Sequence, residues 1–165
     1  MFRTILFDVD GVLLSEERYF DASALTVWEL VSSRQYLGQN GEPAFRPDPD
    51  EPLIRQMRRV VFDDDKVLHF IKQRGINANW DMVYLAFSYQ LIRFLEAALP
   101  RYRDQVAALL SRPLTADTLA IVREWDVDFE PRWADFVADF AKGTAEKQAL
   151  LLDLNRIAQE RLGVA

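Results

Sequence analysis

Two aspartates near the start of the chain are the residues best suited to chemistry. Asp8 and Asp10 follow the apolar run of residues 5–7, are separated by one valine, and are followed by Gly11. In an extended backbone, residues two positions apart point to the same side. Both carboxylates would therefore project from the C-terminal end of a strand, where open α/β sheets place their ligands. Like charges this close repel unless a cation lies between them or they share a proton. Because oxygen-only ligands favour a hard divalent ion, the pair predicts a Mg2+ site at Asp8 and Asp10.

The run Phe7-Asp8-Val9-Asp10-Gly11-Val12-Leu13 resembles the first signature motif of the haloacid dehalogenase-like hydrolases. The resemblance implies that Asp8 is the nucleophile that attacks a phosphoryl group, and that Asp10 acts as general acid and then as general base. It also implies Mg2+ bound by the Asp8 carboxylate and the backbone carbonyl of Asp10. A phosphate ester's leaving oxygen needs a proton and a halide does not, so Asp10 favours phosphoryl chemistry over carbon–halogen cleavage. The alternative is a strand that ends in a solvated Asp-Val-Asp-Gly turn.

The length and composition of the chain restrict the functions that it can have. The 165 residues are enough for one domain, or for one domain and part of another. A net charge of -6 argues against non-specific binding to nucleic acid or to an anionic membrane. No apolar run reaches the ~20 residues that a membrane span needs, and the N-terminal apolar stretch ends in two acids, unlike a signal peptide. The chain has no cysteine, which excludes disulfides and thiolate metal sites. We therefore expect a cytoplasmic protein without a nucleic-acid or membrane partner.

After the motif, apolar residues recur at helical spacing and predict a bundle of helices. Ser15 and Asn79 are candidate N-caps, and the glycine- and proline-rich stretch 38–52 is predicted to be a loop. A strand over residues 119–122 is the alternative to a helix for that short apolar run. The four tryptophans fall on apolar helical stripes and are expected in the core. The predicted helices cover approximately residues 15–37, 53–61, 63–73, 79–100, 101–110, 115–125, 131–141 and 145–162.

The resemblance implies an α/β fold class with a Rossmann-type core, of which this chain carries one strand. Residues 1–14 would form the first strand and catalytic loop of that core, and residues 15–165 a helical cap region. A single strand cannot pair its own backbone N–H and C=O groups. Strand 3–8 would therefore need core strands from further sequence, or a partner chain.

The later motifs of the family are not found in these residues. The family uses a Ser or Thr to hold the phosphate, a Lys or Arg to balance its charge, and a further acid at the metal. Residues 63–65 form the only other acid cluster, and we expect them to lie in a solvated first turn of a helix. His69, the single histidine, has no second histidine or cysteine with which to bind zinc.

Two further groups of polar residues have a functional and a structural interpretation. Arg55, Arg58 and Arg59 form a basic patch that could meet a substrate phosphate, although a solvated helix face with neighbouring acids is the favoured interpretation. Asn77 and Asn79 lie in a turn between helices and could line the substrate mouth of a cap. Helix capping would explain Asn79 without any function.

The functional prediction is the N-terminal part of a Mg2+-dependent phosphohydrolase that acts on a small phosphorylated metabolite. An aspartyl-phosphate would form on Asp8, and these residues alone would be inactive because the site is incomplete. One alternative is a non-catalytic helical interaction module that retains a vestigial motif. Another is a phosphomutase or phosphotransferase of the same superfamily, which would share Asp8 and Asp10 and differ in the acceptor.

Overall fold

A bundle of helices makes up the described part of the protein. The computed structural model describes residues 15–39 and 41–163. The seven helices within these ranges are α1 Glu17–Ser32, α2 Glu51–Val61, α3 Lys66–Gln73, α4 Asn79–Leu110, α5 Ala116–Arg123, α6 Asp135–Phe140 and α7 Gln148–Leu162.

Helix α4 is the centre of the bundle. Its 32 residues bury a wide apolar surface that includes Met82, Leu85 and Phe94. One side of α4 packs on α1 and another on α7, while α2 packs on α1 and α6 contacts both α3 and α7. The helix is apolar on more than one side because it has neighbours on more than one side.

A buried carboxylate joins α4, α6 and α7. The Tyr89 hydroxyl donates a hydrogen bond of 2.7 Å to Oδ2 of Asp139. The Arg161 guanidinium donates to the same oxygen, and Lys142 donates to Oδ1 at 2.9 Å. Burial opposes the charge on Asp139, but the hydrogen bonds from these three side chains outweigh it and lower the pKa of Asp139 from 3.8 to about 2. The carboxylate is therefore ionised at neutral pH and is fully paired.

The predicted α/β fold class is wrong. Residues 15–39 and 41–163 contain helices and no strand. The short apolar run 119–122, for which a strand was the alternative, lies within α5 because Thr115 and Thr118 form a reciprocal capping box that starts the helix there. The predicted strand 3–8 and catalytic loop lie in residues 1–14, outside the described part of the chain.

Several predicted helix boundaries also change. The predicted division into helices 79–100 and 101–110 is found as a kink within α4: the non-helical φ of -126° and ψ of 30° at Tyr102 separate two helical segments, two residues after Pro100. Proline removes one backbone hydrogen bond, and a long helix that is packed on both sides tolerates this as a kink. The loop prediction 38–52 is slightly too long, since α2 begins at Glu51 with Pro52 inside its first turn.

Residues 63–65 do not form the first turn of a helix as predicted. Asp63, Asp64 and Asp65 all have positive φ, at 47°, 51° and 65°, and α3 begins only at Lys66. Aspartate is among the residues that adopt this left-handed conformation most readily. The three acids therefore form a tight left-handed connection between α2 and α3.

Among the described residues, α4 is long and apolar enough to pass a test for a membrane span by length and composition. In the fold, 61% of its most apolar stretch is buried against other helices. Central helices of water-soluble bundles pass the same test.

We expect Asp139→Asn to lower the free energy of unfolding by about 3 kcal/mol at pH 7, since it leaves Arg161 and Lys142 facing a neutral amide. A lowered pKa contributes stability above about pH 4 that is lost as the pH falls towards 2. The difference in unfolding free energy between the variant and the unchanged protein should therefore decrease as the pH falls over that range. Urea unfolding followed by circular dichroism at pH 7, 4 and 2.5 measures both effects.

The matched control is Asp135→Asn on the same helix, whose half-exposed side chain lies 3.4 Å from Arg93. It should change the unfolding free energy little. Equal stability of the Asp139 and Asp135 variants at pH 7 would contradict a structural role for the buried carboxylate.

Candidate functional site

The predicted catalytic pair, Asp8 and Asp10, lies outside the described residues. Their projection from one side of a strand, and the Mg2+ site they would form, stay predictions. Within residues 15–39 and 41–163, no three His, Cys, Asp or Glu side chains are grouped so that they could hold a metal ion. The described part of the chain therefore offers no metal site of this kind.

A polar cleft opens where the chain enters α1 from the motif. It has a volume of about 240 Å³, and Glu16 on its wall follows Asp10 by six positions. We name it the Lys72 cleft, and it is lined by Glu16, Tyr19, Phe20, Lys72, Asn77 and Asn79. Of the described pockets, this is the one nearest in sequence to the predicted catalytic pair.

Lys72 is held in the cleft from two sides. Its Nζ donates a hydrogen bond of 2.7 Å to Oε2 of Glu16, and the same nitrogen lies 4.8 Å from the centre of the Phe20 ring. Ion pairing and the cation–π contact both favour one position of the ammonium group. The side chains of Lys72 and Glu16 remain 35% and 45% exposed, so both can still reach a ligand.

The turn that carries Asn77 is fixed by a distant segment. Gly75 ends α3 with φ at +82°, and a side chain there would crowd Lys147. The backbone N–H of Lys147 donates a hydrogen bond of 2.7 Å to the carbonyl of Arg74. Arg74 in turn donates to the carbonyls of Gly143 and Ala145. This turn is therefore fastened to the segment that leads into α7.

The capping interpretation of Asn79 is wrong. The N-cap of α4 is Ala78, without a side-chain cap, and Asn79 is the first helical residue. Within the described part of the chain, the side-chain amides of Asn77 and Asn79 form no hydrogen bond. Both amides line the cleft with their donors and acceptors unused by the fold.

The arginine patch and the acid cluster come together in a second pocket. Arg58 forms a bidentate pair with Asp65 at 2.7 and 3.0 Å and lies 3.6 Å from Asp21. Arg55 pairs with Glu51, whereas Arg59 has no ion pair among the described residues. The side-chain hydrogen bonds that Arg58 donates to Asp65 raise the pKa of Arg58 against the opposing effect of burial. These charges mainly hold the left-handed connection against α1 and α2.

The remaining predicted candidates lie apart from the cleft. His69 is exposed on α3. Trp28 is buried as predicted, but Trp80 is 79% exposed, so its placement in the core was wrong. It occupies the second position of α4, where the helix begins at the surface of the bundle.

Sequence reasoning missed Glu16, Tyr19 and Lys72. The contact between Glu16 and Lys72 spans 56 positions, and no local pattern signals a pairing between the start of α1 and the end of α3. A lysine three positions before a Gly-Ile-Asn turn was the one available hint.

Comparison with known proteins identifies one informative likeness of fold. No family model and no curated protein matches the chain. An X-ray structure determined as a target of the Northeast Structural Genomics Consortium superposes with a TM-score of 0.81 and 31% identity. The match covers 96% of this chain and 41% of that chain. The chain therefore spans about two fifths of the length of the solved protein that it resembles.

Replacing Asn79 should not weaken α4, since its amide caps nothing. We expect Asn79→Ala to change the free energy of unfolding by less than about 0.5 kcal/mol. Thr115→Ala, which removes the true cap of α5, should lower it by about 1 kcal/mol. Urea unfolding of the two variants side by side measures the difference, and a larger loss from Asn79→Ala would restore the capping interpretation.

Proposed function

We propose that this chain belongs to a Mg2+-dependent phosphohydrolase of the haloacid dehalogenase-like type, to which it contributes the nucleophile motif and a helical cap. The observation that carries the proposal is the position of the Lys72 cleft. A polar cleft with an ordered lysine opens six residues after Asp10. Six residues span at most about 20 Å, so Asp10 lies within about that distance of Glu16 on the wall of the cleft.

In the proposed reaction, the Asp8 carboxylate attacks the phosphorus of a phosphate monoester. The bond from phosphorus to the leaving oxygen breaks, and Asp10 gives that oxygen its proton. Asp10 then takes a proton from water, the water oxygen attacks the phosphorus of the aspartyl-phosphate, and inorganic phosphate leaves. Cleavage of the bond between the Asp8 oxygen and phosphorus restores the Asp8 carboxylate, and Asp10 is protonated again, so each group has returned to its starting state.

The donor chemistry of the motif fits Mg2+. Carboxylate and carbonyl oxygens are the ligands that this ion prefers, and Asp8 with the Asp10 backbone would hold it. Bound there, the ion would supply positive charge to balance the phosphoryl oxygens. The chain's own contribution beyond the motif is to orient the leaving group in the Lys72 cleft and to exclude water from it.

The proposal also requires three catalytic groups that have not been found in these residues. A phosphate-holding hydroxyl, a cation and a final metal-binding acid would come from further sequence or from a partner chain. The likeness to a solved chain more than twice as long supports this, since these residues match only 41% of it.

A second candidate, a non-catalytic interaction module, is favoured by one observation. Trp80 and Tyr84 are 79% and 52% exposed and lie one turn apart at the start of α4. Exposed aromatic side chains at helical spacing are frequent in protein interfaces. This candidate requires no turnover from Asp8.

The catalytic prediction concerns the complete gene product assayed on para-nitrophenyl phosphate. Hydrolysis should require Mg2+, stop on chelation with EDTA, and fall by at least about a thousandfold in Asp8→Asn, because the nucleophile is lost. Asp10→Asn should also lose turnover, since the leaving oxygen then lacks its acid. Release of inorganic phosphate measures the rate.

Asp48→Asn, in the proline-rich loop, is the matched control and should keep full activity. Turnover that survives Asp8→Asn, or no Mg2+-dependent turnover across a panel of phosphate monoesters, would overturn the enzyme assignment. Turnover by residues 1–165 alone would instead contradict only the claim that the site is incomplete.

A further inference from the structure

The charges of the described residues that line the Lys72 cleft balance each other. Among these described residues, Lys72 is the only cation and Glu16 the only anion, and the two are 2.7 Å apart. The other four lining side chains are neutral. A ligand group with a net charge of either sign would meet one of these two residues as a like charge.

The cleft is nevertheless rich in unused hydrogen-bonding groups. Each asparagine amide offers two N–H donors and a carbonyl acceptor, and those of Asn77 and Asn79 are engaged by no described residue. Lys72 has three N–H donors, one of which serves Glu16. Glu16 accepts that bond through Oε2, which leaves Oε1 as an acceptor. Hydrogen-bond donors and acceptors thus lie side by side in the cleft. This arrangement suits a hydroxyl group, which can both donate and accept a hydrogen bond.

Two aromatic rings complete the lining. Phe20 and Tyr19 give the cleft apolar surface next to its polar groups. The volume of about 240 Å³ is below the range of about 300–1,000 Å³ typical of sites for drug-sized ligands. A wholly apolar group of this size would strip water from the amides and the ion pair without replacing their hydrogen bonds.

We propose that the Lys72 cleft binds a small, uncharged, hydroxyl-rich group, so that the substrate is the phosphate monoester of a sugar or polyol. The inference rests on the proposed function, since that group is the leaving group of the proposed reaction. Lys72 donates to ligand hydroxyl oxygens, Glu16 accepts from ligand hydroxyls, and the two asparagines fix the orientation. The cleft is a specificity site and takes no part in bond breaking.

The kinetic test uses the complete gene product and four phosphate monoesters whose leaving groups differ in chemistry. These are sorbitol 6-phosphate, 3-phosphoglycerate, phosphoserine and para-nitrophenyl phosphate, whose leaving groups are respectively neutral and hydroxylated, anionic, zwitterionic and aromatic. The polyol phosphate should have the highest kcat/KM. Lys72→Met and Glu16→Gln should each raise its KM by about tenfold or more, because each removes a charged hydrogen-bonding partner.

Lys66→Met is the matched control, since Lys66 forms a comparable pair with Asp63 at 3.0 Å outside the cleft. It should leave KM for the polyol phosphate unchanged. A preference for 3-phosphoglycerate or phosphoserine would overturn the inference in favour of an anionic or zwitterionic ligand. Equal changes in KM for the polyol phosphate in Lys72→Met and Lys66→Met would also overturn the inference.

A binding test separates this inference from the proposed function. Sorbitol titrated into the 165-residue chain should shift the NMR signals of the Asn77 and Asn79 side-chain amides, and succinate should not. The shifts should disappear in Lys72→Met, while the Lys66→Met chain keeps them. If sorbitol binds but the complete gene product has no phosphatase activity, the polyol-binding site is supported and the proposed phosphohydrolase function is refuted. If the complete gene product is an active phosphatase but sorbitol causes no NMR shifts, the proposed function is supported and the polyol-binding site is refuted.

Discussion

The buried carboxylate of Asp139 is the interaction on which the arrangement of the helices depends. It belongs to α6, accepts from Tyr89 of α4 and from Arg161 of α7, and so joins three helices at one point. Arg161 extends the network to Glu96, about two turns further along α4 than Tyr89, at 3.0 Å. A charge in this position is tolerated only because every oxygen is paired. The same pairing leaves few alternative ways to pack the three helices.

The position of the Lys72 cleft follows from that arrangement. Asn79 is the first residue of α4, so holding α4 in the bundle also holds one wall of the cleft. The turn before it is fastened by Arg74 and Lys147 to the segment that leads into α7. The opposite wall is the start of α1, which packs directly on α4. A small polar cleft near the surface is thus positioned by contacts that lie well away from it. This is the preorganisation that a specificity site needs.

Most helices could be predicted from the sequence because their apolar faces repeat at helical spacing. Ala24, Val27 and Val31 are buried along α1 as that spacing indicates. The errors occur where tertiary contacts override a local signal. Pro100 predicts a helix end, and the structure has instead a kink at Tyr102, two residues later, within one packed helix. Three consecutive aspartates suggest a helix start, yet they form a left-handed connection in which Asp65 pairs with Arg58. Trp80 fits a helical stripe but lies at the exposed beginning of its helix.

The amino-acid sequence by itself predicted the helices that the structure shows in residues 15–39 and 41–163, and it predicted a chemistry for Asp8 and Asp10 that stays a prediction. Both depend on neighbours in the chain: the spacing of apolar residues in one case, and two carboxylates two positions apart in the other. Only the tertiary structure decided that Lys72 pairs with Glu16, and that Asn77 and Asn79 have amides free to bind a ligand. Such a site is assembled from segments more than 50 positions apart, and only the packing of the helices brings those segments together.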